Sequence, residues 1–241
     1  MFLVLVFVVA VLGGATAAVS GFGIGSLLTP LFALQMPMPT AVAAVALPHA
    51  VATALRAWRL RRAIDRRVLR SFGLVSAIGG LAGAFWYARL GSGTLTVVLG
   101  ALLVLTAIAG LTGWTSRVRT RGPVPWALGL ASGLFGGMAG NQGGLRSAAL
   151  LAFGLNPLPF VATATATGVL VDAARTPVYL WHEGSGLLVV AGPIAAATCG
   201  VIVGTLLGER ILLGLTPARF RQLVSALIGG VGVWLVAREM W

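Results

Sequence analysis

Residues 140–154 have the sequence GNQGGLRSAALLAFG, and this stretch decides how the chain is built. It opens with glycines and two amides, continues into an apolar segment, and carries one arginine, Arg146. A charge at the centre of a membrane helix costs about 2.5–3.5 kcal/mol on insertion scales. We therefore expect Arg146 either to lie at a water boundary or to have a functional reason for its position.

The composition around this stretch is that of a membrane protein. Of the 241 residues, 58% are hydrophobic and 9% are charged, whereas soluble domains contain about 25% charged residues. Residues 1–55, 122–145 and 184–208 carry no charge, and each run is at least as long as the roughly 20 residues that cross a bilayer as a helix. The sequence predicts an all-α, polytopic protein of the cell membrane (plasma or inner), surrounded by lipid.

The net charge of +12 comes from arginine, and no lysine occurs. The arginines cluster beside apolar spans, as the positive-inside rule describes, so we expect no nucleic-acid partner. The arginine run at 56–70 is interpreted as a topology determinant. The single cysteine, Cys199, is interpreted as a small buried hydrophobic residue. Because His49 and His182 are isolated from each other and from cysteine, no metal and no cofactor are predicted.

Charges and turn residues divide the chain into eight hydrophobic segments, two of which are interrupted by glycine-rich stretches. Prolines and glycines lie at the boundaries, as expected where helices end, and one predicted boundary is HEGSG at 182–186. The predicted segments are roughly 1–19 running into 20–34, 40–57, 71–88, 94–113, 125–139 running into 143–154, 159–181, 186–207 and 219–238.

An internal repeat relates the two halves of the chain. A shift of 120 residues places Gly23 on Gly143 and Pro37 on Pro157. We therefore predict two homologous four-segment repeats, 1–120 and 121–241, within one integral membrane domain.

The arginines favour an inverted arrangement of these repeats. If each glycine-rich segment enters the membrane, breaks and returns, the arginines within 59–70, 117–121 and 210–221 all face one side, as the positive-inside rule prefers. Inverted repeats with broken helices are a recurrent transporter plan, with the substrate bound between them.

The two glycine-rich stretches, SGFGIGS at 20–26 and GGMAGNQGG at 136–144, are the candidate binding elements. A helix that restarts after a glycine break presents free N–H groups and a positive dipole end, which attract anions. Close helix packing through small residues is the alternative explanation. The candidate substrate-binding residues are Ser20, Gly21, Gly23, Gly25, Ser26, Asn141, Gln142, Gly143, Gly144, Arg146 and Ser147, with Thr29 a weaker candidate.

The stretches VSGFGIGSLLTPLFAL (19–34) and ASGLFGGMAGNQGGLRSAALLAFGLNPLPFVATATATG (131–168) resemble the two signature repeats of the TauE/SafE sulfite exporter family. The resemblance implies a transporter of sulfite or organosulfur anions. It departs from the family pattern at Asn141 and Gln142, where glycines are usual, so the substrate stays open.

For Arg146, the functional interpretation is binding of an oxyanion by the planar guanidinium group. The structural interpretations are a side chain that reaches the membrane surface or one that pairs with Asp172.

Three further residues could carry protons or form ion pairs. Asp172 and Arg175 are three apart on one helix face, a spacing that favours an intrahelical ion pair, while a buried acid can also carry protons. His49 follows Pro48 and either carries protons or bonds a backbone carbonyl. The alternating Thr163, Thr165 and Thr167 cannot all share one helix face.

The function predicted from these features is export of a small anion, sulfite or an organosulfur or organic anion, across the cell membrane. A non-transporting scaffold subunit and an intramembrane enzyme are the alternatives. We expect no enzymatic activity, because a single acid lies within a segment and no nucleophile has a base beside it. Assembly into a homo-oligomer is left open.

Overall fold

The computed structural model describes residues 1–21, 23–113, 122–140, 143–151, 153–211 and 217–240. Within these ranges the regular structure is entirely helical, as predicted. A short 3-10 turn, Arg61–Ala63, precedes α4, and α4 contains one π-helical turn at Leu69–Gly73. The helices are α1 (Phe2–Ser20), α2 (Ile24–Ala33), α3 (Met38–Arg59), α4 (Arg66–Tyr87), α5 (Ser92–Thr112), α6 (Val124–Ala139), α7 (Gly143–Leu151), α8 (Pro157–Val189), α9 (Ala191–Ile211) and α10 (Pro217–Met240).

Five of these helices are long and apolar enough to cross a membrane: α3, α4, α5, α8 and α9. The helices α1, α2 and α6 are apolar but shorter. Many large apolar side chains on the outer surface are exposed, among them Phe85, Trp86 and Leu188. Lipid tails are the solvent that such a surface requires, so the architecture is that of a multi-pass membrane protein.

The chain breaks at both glycine-rich stretches. Helix α1 ends at Gly21, which has φ 81°, and α6 ends at Gly140, which has φ 73°. Gly23, with φ 132°, precedes α2. Glycine adopts these conformations without the Cβ clash that other residues suffer. Each break therefore follows from the local sequence, and a short helix, α2 or α7, restarts behind it.

Two pairs of helices pack side by side through glycines. Helix α1 lies along α9, where a Cβ at Gly200 would fall 2.6 Å from Ala10 Cβ. Helix α4 lies along α6, where a Cβ at Gly133 would fall 2.9 Å from the backbone nitrogen of Gly80. Most helix association inside lipid relies on such close packing, because lipid tails are as apolar as the side chains.

Helices α3 and α8 lie against each other in antiparallel fashion. Thr40 near the start of α3 contacts Glu183 near the end of α8, and His49 contacts Asp172 in the middle. Helices α5 and α10 are likewise antiparallel, since Gly93 lies beside Glu239 and Ala107 beside Gly229. The α3–α8 pair carries most of the buried polar residues described below.

Two expectations from the sequence are wrong. Residues 182–186 do not end a helix, since α8 continues through them to Val189. The segment contains no proline, and Thr40 Oγ1 of α3 donates a 2.8 Å hydrogen bond to Glu183 there, which offsets part of the cost of two helical glycines. Cys199 is exposed on the outer surface of α9 rather than buried.

Candidate functional site

One face of α8 carries a row of buried polar residues. Thr165, Gly168, Asp172, Arg175 and Tyr179 follow each other at spacings of three and four, which places them along one side of the helix. All four side chains in this row are buried. Polar groups buried at this depth need partners, and the row therefore marks where specific interactions concentrate.

Asp172 is the centre of a buried hydrogen-bond network. Its Oδ1 lies 2.8 Å from Nη2 of Arg175 and accepts a 3.0 Å bond from Nε. Its Oδ2 lies 2.7 Å from Nδ1 of His49 and accepts a 2.9 Å bond from Thr53 Oγ1. The intrahelical ion pair expected from the i, i+3 spacing is present, and it joins α8 to α3 through His49, which the sequence did not connect to it.

Arg175 also connects α8 to the broken end of α6. Its Nη1 donates to the carbonyl of Gly136, and Tyr179 Oη donates a 2.5 Å bond to the carbonyl of Gly137. Both carbonyls belong to the last turn of α6, where the Gly136 carbonyl also accepts a 3.0 Å bond from the N–H of Gly140. A positive side chain is favourable at this end of a helix dipole, so Arg175 and Tyr179 hold α6 in place just before its break at Gly140.

The two glycine breaks lie against each other. A Cβ on Gly25, in the first turn of α2, would fall 2.5 Å from the carbonyl oxygen of Gly140. Thr29 Oγ1 and Arg175 Nη1 flank Gly140 as well, at 3.6 and 3.9 Å from the position that its own Cβ would take. The first-half and second-half candidate elements therefore meet at one place in the interior.

Arg146 extends from α7 to α8. It is 4% exposed, and its Nη1 donates a 3.0 Å bond to the carbonyl of Ala164 and lies against Gly168. Its Nε and Nη2 have no hydrogen-bond partner among the described residues. A side chain that reaches the membrane surface is therefore wrong for Arg146. No direct ion pair with Asp172 is described, since its oxygens contact Arg175, His49 and Thr53, but the Asp172 charge does act on Arg146.

Arg56 is a buried cation that the sequence analysis missed by assigning it to a topology-determining run. It lies in the last turn of α3, is 4% exposed, and its Nε and Nη1 lack hydrogen-bond partners within the described ranges. The neighbouring Arg59, Arg61 and Arg62 are exposed. Thr53 follows His49 by four residues, and Arg56 follows Thr53 by three, so all three lie on one face of α3. That periodicity is the signal that could have identified Arg56.

The remaining predicted site residues are placed as follows. Asn141 and Gln142 lie outside the described residues. Gly143 and Gly144 form the first turn of α7, and Ser147 is half-buried. Ser20 is the last residue of α1. Ser26 is buried in the second half-turn of α2 and borders an apolar groove with Pro30 and Trp234.

The three alternating threonines of α8 divide between two faces, as their spacing required. Thr163 Oγ1 accepts a 2.9 Å bond from the backbone N–H of Asp65, and Thr167 faces Gly73 of α4. Thr165 shares the face of Gly168 and Asp172, and its hydroxyl has no described partner. Thr167 Oγ1 also lacks a described hydrogen-bond partner, but it lies on the face towards α4, so of the three only Thr165 is on the face of Gly168, which Arg146 contacts.

Comparison with known proteins assigns the chain to a family. The family model for the sulfite exporter TauE/SafE matches residues 6–235, nearly the whole chain. No curated protein and no solved structure matches it. With the helical membrane architecture and the full-length match, the chain belongs to the TauE/SafE sulfite exporter family of membrane transporters.

Proposed function

We propose that the protein exports a small oxyanion, sulfite or an organosulfur anion, across the cell membrane, and that Arg146 binds this anion. The observation that carries the proposal is a buried guanidinium group whose Nε and Nη2 have no hydrogen-bond partner among the residues that the structure describes. Membership of the transporter family supports the transport part of the proposal, and the chemistry of Arg146 supports the anion.

The buried charge of Arg146 forms no described ion pair. Leaving one charge of a buried pair without its partner costs about 3–5 kcal/mol, and Arg146 meets a single backbone carbonyl at Ala164. An oxyanion would supply both the opposite charge and two oxygens for the planar guanidinium group. The N-terminal turn of α7, which begins at Gly143, adds N–H groups and a positive dipole end close to Arg146.

The helix packing supports inverted repeats as the mechanical basis of transport. A shift by half the chain places α1 on α6 and α4 on α9, so the α1–α9 pair corresponds to the α4–α6 pair. The two helices run parallel in both pairs. The pairs α3–α8 and α5–α10 map onto themselves and are antiparallel. A two-fold axis perpendicular to α3 and α8 explains all four pairings, and it passes between the repeats, where inverted-repeat transporters bind their substrates.

The membrane potential supports the proposed outward direction of transport. A membrane potential that is negative inside pushes an anion outward by about 2.3 kcal/mol per charge per 100 mV. An exporter of anions therefore needs no coupling ion. In vesicles loaded with the anion, we expect an inside-negative potential to accelerate efflux.

The test is flux in purified proteoliposomes with sulfite, thiosulfate, sulfate and a sulfonate, comparing the wild type with Arg146→Gln. Loss of saturable flux in a folded variant is the expected result. Arg238→Gln is the matched control, because Arg238 is exposed and contacts Trp234, and it should transport like the wild type. Unchanged flux in Arg146→Gln would remove Arg146 from the site, and no flux of any anion by the wild type would refute the transporter proposal.

A further inference from the structure

A second unpaired cation lies close to Arg146. Arg56 and Arg146 come from different halves of the chain, but Arg146 and Thr53, which lies one turn before Arg56, both contact the space beside Gly168 of α8. Both are almost fully buried, and each has two guanidinium nitrogens without a described partner. Like charges buried together repel each other strongly in a medium of low dielectric constant, so this arrangement needs a compensating anion.

The local geometry directs the two side chains to the same part of α8. Thr53 lies one turn before Arg56 on α3, and its methyl group is 3.5 Å from the position of a Cβ on Gly168. Nη1 of Arg146 is 2.9 Å from that same position. Gly168 thus leaves room in which α3 and the Arg146 side chain both approach α8, beside the unpartnered hydroxyl of Thr165.

The acidic residues described by the structure do not neutralise these two arginines. The charge of Asp172 acts on both arginines, but its oxygens contact Arg175, His49 and Thr53. Asp65 caps α4, where it accepts bonds from the N–H groups of Arg67 and Val68. One carboxylate cannot balance three neighbouring guanidinium groups, those of Arg175, Arg56 and Arg146, so this part of the described structure keeps an excess of positive charge.

We infer that Arg56, Arg146 and Thr165 form a two-arginine site that selects an oxyanion carrying two negative charges over one carrying a single charge. This inference rests on the proposed function and specifies the substrate class of the same site. A divalent oxyanion neutralises both guanidinium groups and offers at least three oxygens to their free N–H groups. A monovalent anion leaves one buried positive charge uncompensated, which lowers its affinity.

The test uses two anions of nearly equal shape, sulfate and methanesulfonate, which differ by one charged oxygen replaced by a methyl group. Each is added as a competitor against the flux of whichever anion the wild type transports best. We expect wild-type protein to prefer sulfate by about tenfold or more, since a hydrogen-bonded buried charge contributes at least that factor. Arg56→Gln should remove most of this preference by weakening sulfate, with methanesulfonate changed much less.

Arg56→Lys is the second variant, because it keeps the positive charge while losing the planar geometry. It should retain a preference for sulfate that is larger than that of Arg56→Gln. Arg59→Gln is the matched control, because Arg59 is also an arginine and lies three residues after Arg56 but is exposed. It should behave as the wild type. All variants are first checked for a monodisperse folded state by size-exclusion chromatography.

The outcomes separate this inference from the proposed function. Flux by the wild type without a preference for sulfate would overturn the two-arginine site and leave anion transport standing. An equal loss of both competitors in Arg56→Gln would also overturn it, since charge selection requires an unequal loss. A wild type that transports none of the tested anions would instead refute the proposed function itself.

Discussion

Replacing Asp172 with asparagine tests whether the network around Asp172 holds the transporter core together. The carboxylate connects α3 and α8 directly and reaches α6 through Arg175. Asparagine has nearly the same shape, so the substitution removes the charge without creating a cavity. We expect a folded but markedly less stable protein.

The magnitude follows from the contacts that are lost. Oδ1 of Asp172 lies 2.8 and 3.0 Å from two nitrogens of Arg175. Its Oδ2 lies 2.7 Å from Nδ1 of His49 and 2.9 Å from Oγ1 of Thr53. An asparagine side chain presents one oxygen and cannot satisfy both sets. Arg175 then becomes an unpaired buried charge, and breaking one side of a buried pair costs about 3–5 kcal/mol.

The assay is reversible unfolding in detergent micelles, followed by the fluorescence of the seven tryptophans. Glu183→Gln is the matched control on the same helix. Glu183 is half-buried and accepts one 2.8 Å bond from Thr40, which glutamine can also accept, so its free energy of unfolding should change by less than about 0.5 kcal/mol. A double variant, Asp172→Asn with Arg175→Gln, should regain part of the lost stability because the stranded charge is gone.

Two results would contradict this account. If Asp172→Asn unfolds at the same denaturant concentration as Glu183→Gln, the buried pair does not stabilise the core. If the double variant is as unstable as the sum of its single variants, the two side chains act independently, and their contact carries no coupling energy.

The remaining predictions concern glycines. Gly133→Ala should abolish folding or cost several kcal/mol, because its Cβ would collide with the backbone at Ser76. Gly184 is helical and has no atom within 4 Å of the position of a Cβ, so Gly184→Ala should stabilise the protein by about 0.5–1 kcal/mol. Equal thermal stability of the two variants would refute the role of Gly133 in packing. Gly25→Ala should lower anion flux even in protein that remains folded, because its Cβ would push α2 away from Gly140 where the two breaks meet. Flux equal to that of the wild type would show that this contact has no role in transport.

Several features of the fold were predictable because they depend on local chemistry. Uncharged apolar runs predicted membrane helices, since the cost of burying charge in lipid depends on composition. The breaks at Gly21 and Gly140 followed from the freedom of glycine to adopt positive φ. The pairing of Asp172 with Arg175 followed from the i, i+3 spacing within one helix.

Other features depended on contacts between distant residues. His49 bonds Asp172 across 123 positions of the chain, and no local pattern specifies that contact. Arg56 looked like one more arginine of a cytoplasmic run, and its burial follows from the packing of α3 against α8. The continuation of α8 through 182–186 is likewise accompanied by a contact between distant residues, the Thr40–Glu183 bond.

The sequence by itself determined that this chain is a helical membrane protein, broken at two glycine-rich stretches, with Arg146 as an unusual charge within an apolar segment. Those properties arise from hydrophobicity and backbone preferences, which act over one or two helical turns. The tertiary structure decided which arginines share an interior and which carboxylate is already neutralised. Such charge balance depends on the distances between helices, because electrostatic compensation in a low-dielectric core is settled by neighbours in space.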